Sequence, residues 1–244
     1  MHAVIRSALA LSTLLATTAP HSEPNQAAAP SMREGAVVVE LFTSQGCSSC
    51  PPAEALLGEL ARRDNLIALA FHVDYWDSLG WRDRFASAES TERQARYVAA
   101  LGLPTAFTPQ IVVDGRRSVV GSDRRRIEAE LIERAETVAL RAAVDDGDLI
   151  VTLPEAALNT RYDVNVMAYL PTAVTAIGRG ENTGRTLTEF NIVRQQRRAA
   201  VWDGHATQLR VPLDSFPKNA TRVAVLLQRI PQGAIVGSIV ATLR

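Results

Sequence analysis

The sequence has 244 residues, and its 26 Lys and Arg residues balance its 26 Asp and Glu residues, so the formal net charge is zero. That balance argues against a broad basic surface, which excludes nucleic acid or an anionic membrane as a favoured partner. Beyond residue 29 the chain holds one lysine, Lys218, and two histidines, His72 and His205. Schiff-base and histidine-based mechanisms therefore have few candidates, and the two cysteines attract attention instead.

The N-terminal segment has the pattern of a secretory signal peptide. Arg6 precedes the small apolar run Ala8–Ala16, and small residues follow it. The run is shorter than the ~20 residues that span a bilayer, and no later segment is long and apolar enough to do so. We expect residues 1–29 to be a leader, the mature chain to have no transmembrane segment, and the protein to be periplasmic or secreted.

Both cysteines lie in one C-x-x-C motif, Cys47-Ser48-Ser49-Cys50, followed by Pro51-Pro52. The apolar run Val37–Phe42 before it predicts a buried strand. Two adjacent prolines are tolerated only in the first turn of a helix, so a helix is predicted to begin near Cys47. A helix N-terminus favours a thiolate and lowers a cysteine pKa.

The predicted helix is amphipathic. Its apolar positions are expected to face the core and its charged positions to face solvent; the expected outer residues are Glu54, Glu59, Arg62 and Arg63. A structural disulfide is the alternative role for the cysteines. A four-residue loop gives only about 2 kcal/mol of stabilisation in the chain-entropy model, so the spacing favours redox chemistry.

A second apolar run, Leu66–Val73, predicts a central strand parallel to the first through a right-handed β-α-β crossover. It ends in a polar and aromatic segment that contains His72, Asp74 and Trp76. Because sites collect at the carboxyl ends of parallel strands, these side chains are candidates for one wall of the redox site. The alternative is that the aromatic residues only cap the core.

The next elements complete a predicted α/β order of β-α-β, α, β-β-α. A helix from a Ser90 cap to Leu101 is an insertion, and Asp114-Gly115 marks a hairpin. A final helix is predicted over Asp123–Leu140. The division expected is a domain over 36–140 and an antiparallel β module over 141–244, either a small sandwich or an extension packed on the first domain.

The motifs Glu40–Pro52, Phe71–Trp76 and Thr108–Gln110 resemble the thioredoxin-like superfamily. With the stretch Ile177–Leu187, the chain more closely resembles a bacterial family of exported thioredoxin-like proteins of unknown function. The expected fold is thus a thioredoxin-like domain with a helical insertion, followed by the β module.

This resemblance implies roles for five residues. Cys47 would be the exposed nucleophile and Cys50 the resolving thiol, with Pro109 as a cis-proline facing them. Thr108 would dock substrate through its backbone, and Glu40 would stand near the place of the buried acid that deprotonates the resolving thiol. Protein or small-molecule thiols and disulfides would be the partners, with no cofactor.

Other functions remain open at this point. Cu(I) could bind Cys47 and Cys50 with His72 as a third ligand. Zinc on these residues and His205 matches no usual spacing. A secreted interaction protein with a structural disulfide is a third alternative. The Arg179-Gly180-Glu181-Asn182 stretch with Arg185 predicts either contact with an anion or peptide near the redox face or a tight turn with pairing of Arg179, Glu181 and Arg185.

Overall fold

The computed structural model describes residue 1 and residues 35–131, 137–157 and 160–243. Apart from Met1, the predicted leader lies outside the described residues. Within those ranges, no helix is both long and apolar enough to cross a membrane. The helices are α1 (Pro51–Leu60), α2 (Ala88–Ala100) and α3 (Arg124–Glu130). The strands are β1 (Val37–Thr43), β2 (Leu66–His72), β3 (Gln110–Val113), β4 (Arg117–Val120), β5 (Arg141–Asp145), β6 (Asp148–Leu153), β7 (Tyr162–Ala176), β8 (Thr186–Trp202), β9 (Thr207–Pro212), β10 (Arg222–Arg229) and β11 (Ile235–Thr242).

Eight strands form one mixed sheet in the order β11-β10-β7-β8-β2-β1-β3-β4. The predicted β-α-β unit is present, because β1 and β2 pair in parallel from Val37 opposite Leu66 to Thr43 opposite His72. Every residue of both strands is buried, as their continuous apolar runs predict. The α/β fold class with C-terminal antiparallel strands is confirmed.

Strand alternation places functional residues on defined faces of this sheet. Along β2, residues 66, 68 and 70 pack in the cluster under α1, whereas 67, 69 and 71 belong to the cluster that includes Tyr97 of α2. His72 follows the first series and therefore faces α1. Glu40 of β1 follows the opposite series and points to the α2 side.

The C-terminal strands extend the same sheet. The long antiparallel pair β7–β8 lies beside β2, where β8 pairs in parallel at Ala70 and Ile192. A second sheet, β5-β6-β9, packs over the distal part of the large sheet, and its buried residues join those of β7, β10 and β11 in one core. Strands from 36–140 and from 141–244 share the large sheet, so the sheet does not mark a boundary between the two segments. The division at residue 140 remains a prediction.

Two predicted helix bounds are wrong. The α3 helix ends at Glu130, and residues 137–140 are not helical. The Val138 N–H instead donates to Val236 O, and Leu140 is buried in the second core, so pairing with β11 overrides the local apolar periodicity. Similarly, α2 is capped by Ser87, whose hydroxyl accepts from Ser90 N–H, so the helix starts before the expected cap.

Candidate active site around the Cys47–Cys50 disulfide

Cys47 and Cys50 form a disulfide with their Cα atoms 5.4 Å apart. The α1 helix begins at Pro51, so Cys50 holds the N-cap position and Cys47 lies in the preceding turn, whose carbonyl accepts from Cys50 N–H at 3.2 Å. Both cysteines are only 1% exposed, although Ser48 and Ser49 between them are exposed. The expected exposure of Cys47 is therefore not seen in the disulfide form.

Pro109 and Thr108 lie beside this disulfide loop. The Thr108–Pro109 peptide bond is cis, as the resemblance implies. A Cβ built on Gly121 would lie 3.0 Å from Pro109 Cβ and 3.1 Å from Ala53 Cβ, which places the proline against the first turn of α1. Trp76 links the two segments, because its indole N–H donates to Thr108 Oγ1 at 2.9 Å and its Cβ packs against Gly46.

A buried acid–imidazole cluster lies under α1. His72 Nδ1 is 2.7 Å from Asp83 Oδ2, and His72 Nε2 is 3.8 Å from Glu54 Oε1. Glu54 is only 6% exposed, so its predicted place on the outer face of the helix is wrong. Since Glu54 follows Cys50 by four residues, the two side chains are neighbours on one face of α1. In the described part of the chain, neither Glu54 oxygen has a hydrogen-bond partner, and neither does His72 Nε2.

Burial and mutual charge shift the ionisation of this cluster. Burial raises the pKa of Glu54 to about 7, despite the opposing effect of the His72 charge. Burial alone would lower the pKa of His72, but the carboxylates, chiefly Asp83, outweigh it and raise that pKa to about 9. Burial also opposes ionisation of Asp83, yet the His72 contact holds its pKa below the usual value. At neutral pH the site thus holds an imidazolium, an ionised Asp83 and a Glu54 carboxyl near its midpoint.

Glu189 of β8 adds another buried carboxylate to this site. Gln45, two residues before Cys47, donates its side-chain amide to Glu189 at 2.8 Å and to Thr175 Oγ1 at 3.1 Å. The Gln45 backbone N–H donates to Asp83, and Trp81 Nε1–H donates to the Gln45 amide oxygen. Gln45 therefore ties the disulfide loop to the buried carboxylates.

A cavity of about 440 Å³ opens between the start of α1 and the start of β8. Cys50, Glu54 and Glu189 form part of its wall; the other lining residues are Ser44, Gln45, Pro51, Ala55, Thr186, Leu187, Thr188 and Phe190. Glu54 and Glu189 are buried, whereas Ala55 and Thr186 are exposed. The cavity therefore has an acidic buried end, an open rim and a disulfide residue in its wall.

The β7–β8 connection, residues 177–185, is hydrogen-bonded to the disulfide loop. Asn182 is fully buried and its side-chain amide donates to Gln45 O and Cys47 O, both at 2.9 Å. Glu181 accepts from Ser48 N–H at 3.0 Å, and this contact lowers the pKa of its exposed carboxyl. The stretch is a turn in which Arg185 donates to Asn182 Oδ1, and Glu181 contacts Ser48. Binding of an anion or peptide by this stretch stays a prediction.

Two predicted supporting residues, Glu40 and Asp74, point elsewhere, and His205, which entered only the zinc alternative, lies elsewhere. Glu40 is fully buried on the α2 side of the sheet, where it accepts from Arg93 Nε at 2.7 Å. Asp74 accepts from the Thr91 hydroxyl on α2. His205 is exposed in the turn beyond Trp202, while the cavity touches the opposite end of β8, so the structure does not bring it to the dithiol.

Among the described residues, no group of three or more His, Cys, Asp or Glu side chains is arranged to hold a metal ion. His72, the third ligand in the copper alternative, directs Nδ1 to Asp83. Copper binding by the reduced dithiol remains a prediction.

Sequence reasoning missed Asp83, Thr175 and Glu189, and misplaced Glu54. One local signal was available for Glu54: its spacing of four residues from Cys50 puts both on the same helix face. Glu189 carries no such signal, because it reaches the site only through the β7–β8 pairing.

Comparisons with known proteins agree on family and fold. A family model described as a protein of unknown function (DUF1223) matches residues 38–228, which include the disulfide and the whole cavity lining. The chain is similar to protein AGR_C_4864 from Agrobacterium tumefaciens, with 30% identity, 85% of this chain and 94% of that chain covered, and a TM-score of 0.74. It also shares its fold with HBP35 of Porphyromonas gingivalis, with 12% identity, 86% and 75% coverage, and a TM-score of 0.56. No curated protein matches.

Proposed function

The chain belongs to the DUF1223 family of proteins of unknown function, so its own site carries the assignment, and we propose that it is an exported thioredoxin-like thiol–disulfide oxidoreductase acting through Cys47 and Cys50. The observation that carries the proposal is the position of the disulfide. It lies at the N-terminus of α1, whose first turn packs near Pro109, with the buried Glu54 carboxyl one helical turn beyond Cys50. A disulfide that served only as a staple would need neither neighbour.

The reaction starts from the oxidised protein. A substrate thiolate attacks Cys47 Sγ, the Cys47–Cys50 bond breaks, and Cys50 leaves as a thiolate. A second substrate thiolate then attacks the substrate sulfur of the mixed disulfide and releases Cys47. The substrate dithiol becomes a disulfide, and the protein gains two electrons and its two thiol protons. In the reverse direction Cys47 attacks a substrate disulfide and Cys50 resolves the intermediate.

Glu54 is the group proposed to exchange a proton with Cys50. Its pKa of about 7 suits proton transfer in either direction near neutral pH. The His72 imidazolium, which contacts Asp83 through Nδ1, places its positive charge 3.8 Å from the Glu54 carboxyl. The Glu54→Gln variant should slow the Cys50 step and leave alkylation of Cys47 unchanged. Glu59→Gln, on the exposed face of the same helix, is the matched control.

Cysteine variants test the proposal directly. Cys50→Ser should accumulate mixed disulfides through Cys47, because no thiol remains to resolve them, whereas Cys47→Ser should accumulate none. Mass spectrometry of the captured species after alkylation measures both. The proposal fails if neither variant captures a thiol partner and both reduced cysteines alkylate slowly and at equal rates at neutral pH.

A further inference from the structure

The cavity beside Cys50 combines buried negative charge with an apolar rim. Glu54 and Glu189 are 6% and 1% exposed, and both face the cavity. Glu189 is satisfied by Gln45 and Thr175, whereas among the described residues neither Glu54 oxygen has a hydrogen bond of good geometry, and the nearby Thr43 hydroxyl offsets only part of the effect of burial on the Glu54 pKa. A buried carboxylate without a hydrogen bond is costly, so this end of the cavity is complementary to a group that donates hydrogen bonds.

The charges around the cavity are not balanced. In the described residues, His72 is the one cationic group within 4 Å of Glu54, Asp83 and Glu189. It lies closest to Asp83, at 2.7 Å, while Glu54 and Glu189 stand 3.8 and 3.9 Å away. When Glu54 and Glu189 are ionised, one imidazolium faces three carboxylates. The excess charge at the buried end is negative.

The apolar residues at the rim of the cavity favour a ligand whose charged group is attached to an alkyl chain. Pro51, Ala55, Leu187 and Phe190 line it, and the volume of about 440 Å³ is in the range of small-molecule sites. An ammonium or guanidinium group on a short alkyl chain would place its charge against Glu54 and its methylenes against these residues.

We propose that this cavity binds an organic cation, an alkyl-ammonium or alkyl-guanidinium group, next to the Cys50 end of the disulfide. This deepens the proposed function, because the occupant would be the basic part of a thiol or disulfide substrate. Its two sources are a free small amine and a Lys or Arg side chain of a protein substrate. The cavity itself requires only the shared cationic chemistry.

Binding to the oxidised protein tests the site without any redox step. Butylguanidinium, titrated by calorimetry and by NMR, should bind, and butylurea, a neutral near-isostere with the same butyl stem and planar head group, should bind at least tenfold more weakly. Glu54→Gln and Glu189→Gln should each weaken butylguanidinium about tenfold, the loss expected for one charge-assisted contact of ~1.4 kcal/mol. Glu59→Gln should have no effect. Two pocket variants are used so that a folding defect in one, seen by circular dichroism, does not decide the result.

The binding should also strengthen as pH rises through about 7, because Glu54 then ionises while facing His72, Asp83 and Glu189. Glu54→Gln should reduce that dependence, and the remainder should come from Glu189, whose pKa is also raised by burial. Two further probes separate the sources: cystamine represents a free amine disulfide, and an arginine-containing peptide disulfide represents a protein substrate. Whichever binds more tightly identifies the source.

Equal binding of the cation and its neutral isostere, or full binding by both pocket variants, would overturn the cation site. That result would leave the Cys47 and Cys50 trapping experiment intact. Conversely, selective cation binding by a protein whose cysteine variants both trap nothing, and whose two thiols alkylate slowly and at equal rates, would refute the oxidoreductase and keep the cation site.

Discussion

His72 is the residue whose ionisation most directly links this site to stability. Its ring is buried among three carboxylates, with the Asp83 contact at 2.7 Å. Those charges raise its pKa from 6.5 to about 9 even though burial works against the charged form. A folded state that holds the proton more tightly than the unfolded chain is stabilised by protonation. The contribution is fully present below pH 6.5 and is lost as pH rises through 9.

We therefore expect the free energy of unfolding to fall between about pH 6.5 and 9, on the order of 2–3 kcal/mol from His72. Glu54, whose pKa is raised from 4.5 to about 7, lowers the free energy of unfolding further between about pH 4.5 and 7, because in that range the folded state keeps a proton that the unfolded chain loses. Urea denaturation at a series of pH values measures both. His72→Gln should flatten the upper window and exposed His205→Gln should not; an unchanged slope in His72→Gln would contradict the assignment.

The helix α1 is the element that brings these parts together, and its one glycine decides how closely it can approach β8. Cys50, Glu54 and Gly58 repeat every four residues on the face toward that strand. A Cβ on Gly58 would lie 2.5 Å from Phe190 Cε2, closer than real contacts allow. The absence of a side chain at 58 thus lets the Phe190 ring pack on the helix and close one side of the cavity.

Gly58→Ala should lower the free energy of unfolding. An alanine normally stabilises a helix interior by about 1 kcal/mol relative to glycine, but overpacking costs about 1–3 kcal/mol. Chemical denaturation measures the change. Phe190→Leu is the matched second variant, since in its background the alanine should be neutral or stabilising. If Gly58→Ala destabilises equally in both backgrounds, the ring contact is not the cause.

The local sequence pattern predicted the strands and the helix of the site, but it did not predict which charged residues are buried there. The strands β1 and β2, their parallel order and the dithiol at a helix start follow from continuous apolar runs and from the Pro51-Pro52 pair. Glu54 is a charged residue of the kind expected on the outer face of a helix. Its face of α1 is buried because β8, more than 130 residues later, packs against it. Burial of a charge depends on long-range partners, which periodicity does not reveal.

Glu40 illustrates the same limit from the other side. It was placed near the dithiol by resemblance, but strand alternation turns it to the α2 face, where Arg93 and Tyr97 contact its carboxylate. The Arg93 guanidinium also donates to Gln228 of β10 at 3.1 Å. A buried ion pair of the first segment therefore shares hydrogen bonds with the second.

At the scale of the whole molecule, the two predicted segments depend on each other. Strand β2 has β1 on one side and β8 on the other, so removing residues 141–244 would expose an unpaired edge that is apolar up to His72. It would also remove the hydrogen bond from Arg93 to Gln228 and the hydrogen bond from Asn182 to the Cys47 carbonyl. Cooperative folding of the two segments follows from this sharing.

We expect residues 36–140 and 141–244 to unfold in one transition. The three tryptophans report on it separately, because Trp76 and Trp81 lie in the first segment and Trp202 in the second. Fluorescence of a Trp202→Phe variant follows the first segment, and fluorescence of a Trp76→Phe/Trp81→Phe variant follows the second. Each urea midpoint should coincide with the far-ultraviolet circular dichroism midpoint of the same variant. If Trp202 reports a separate midpoint while the first segment remains folded, the segments are independent domains. In that case the shared sheet does not couple them.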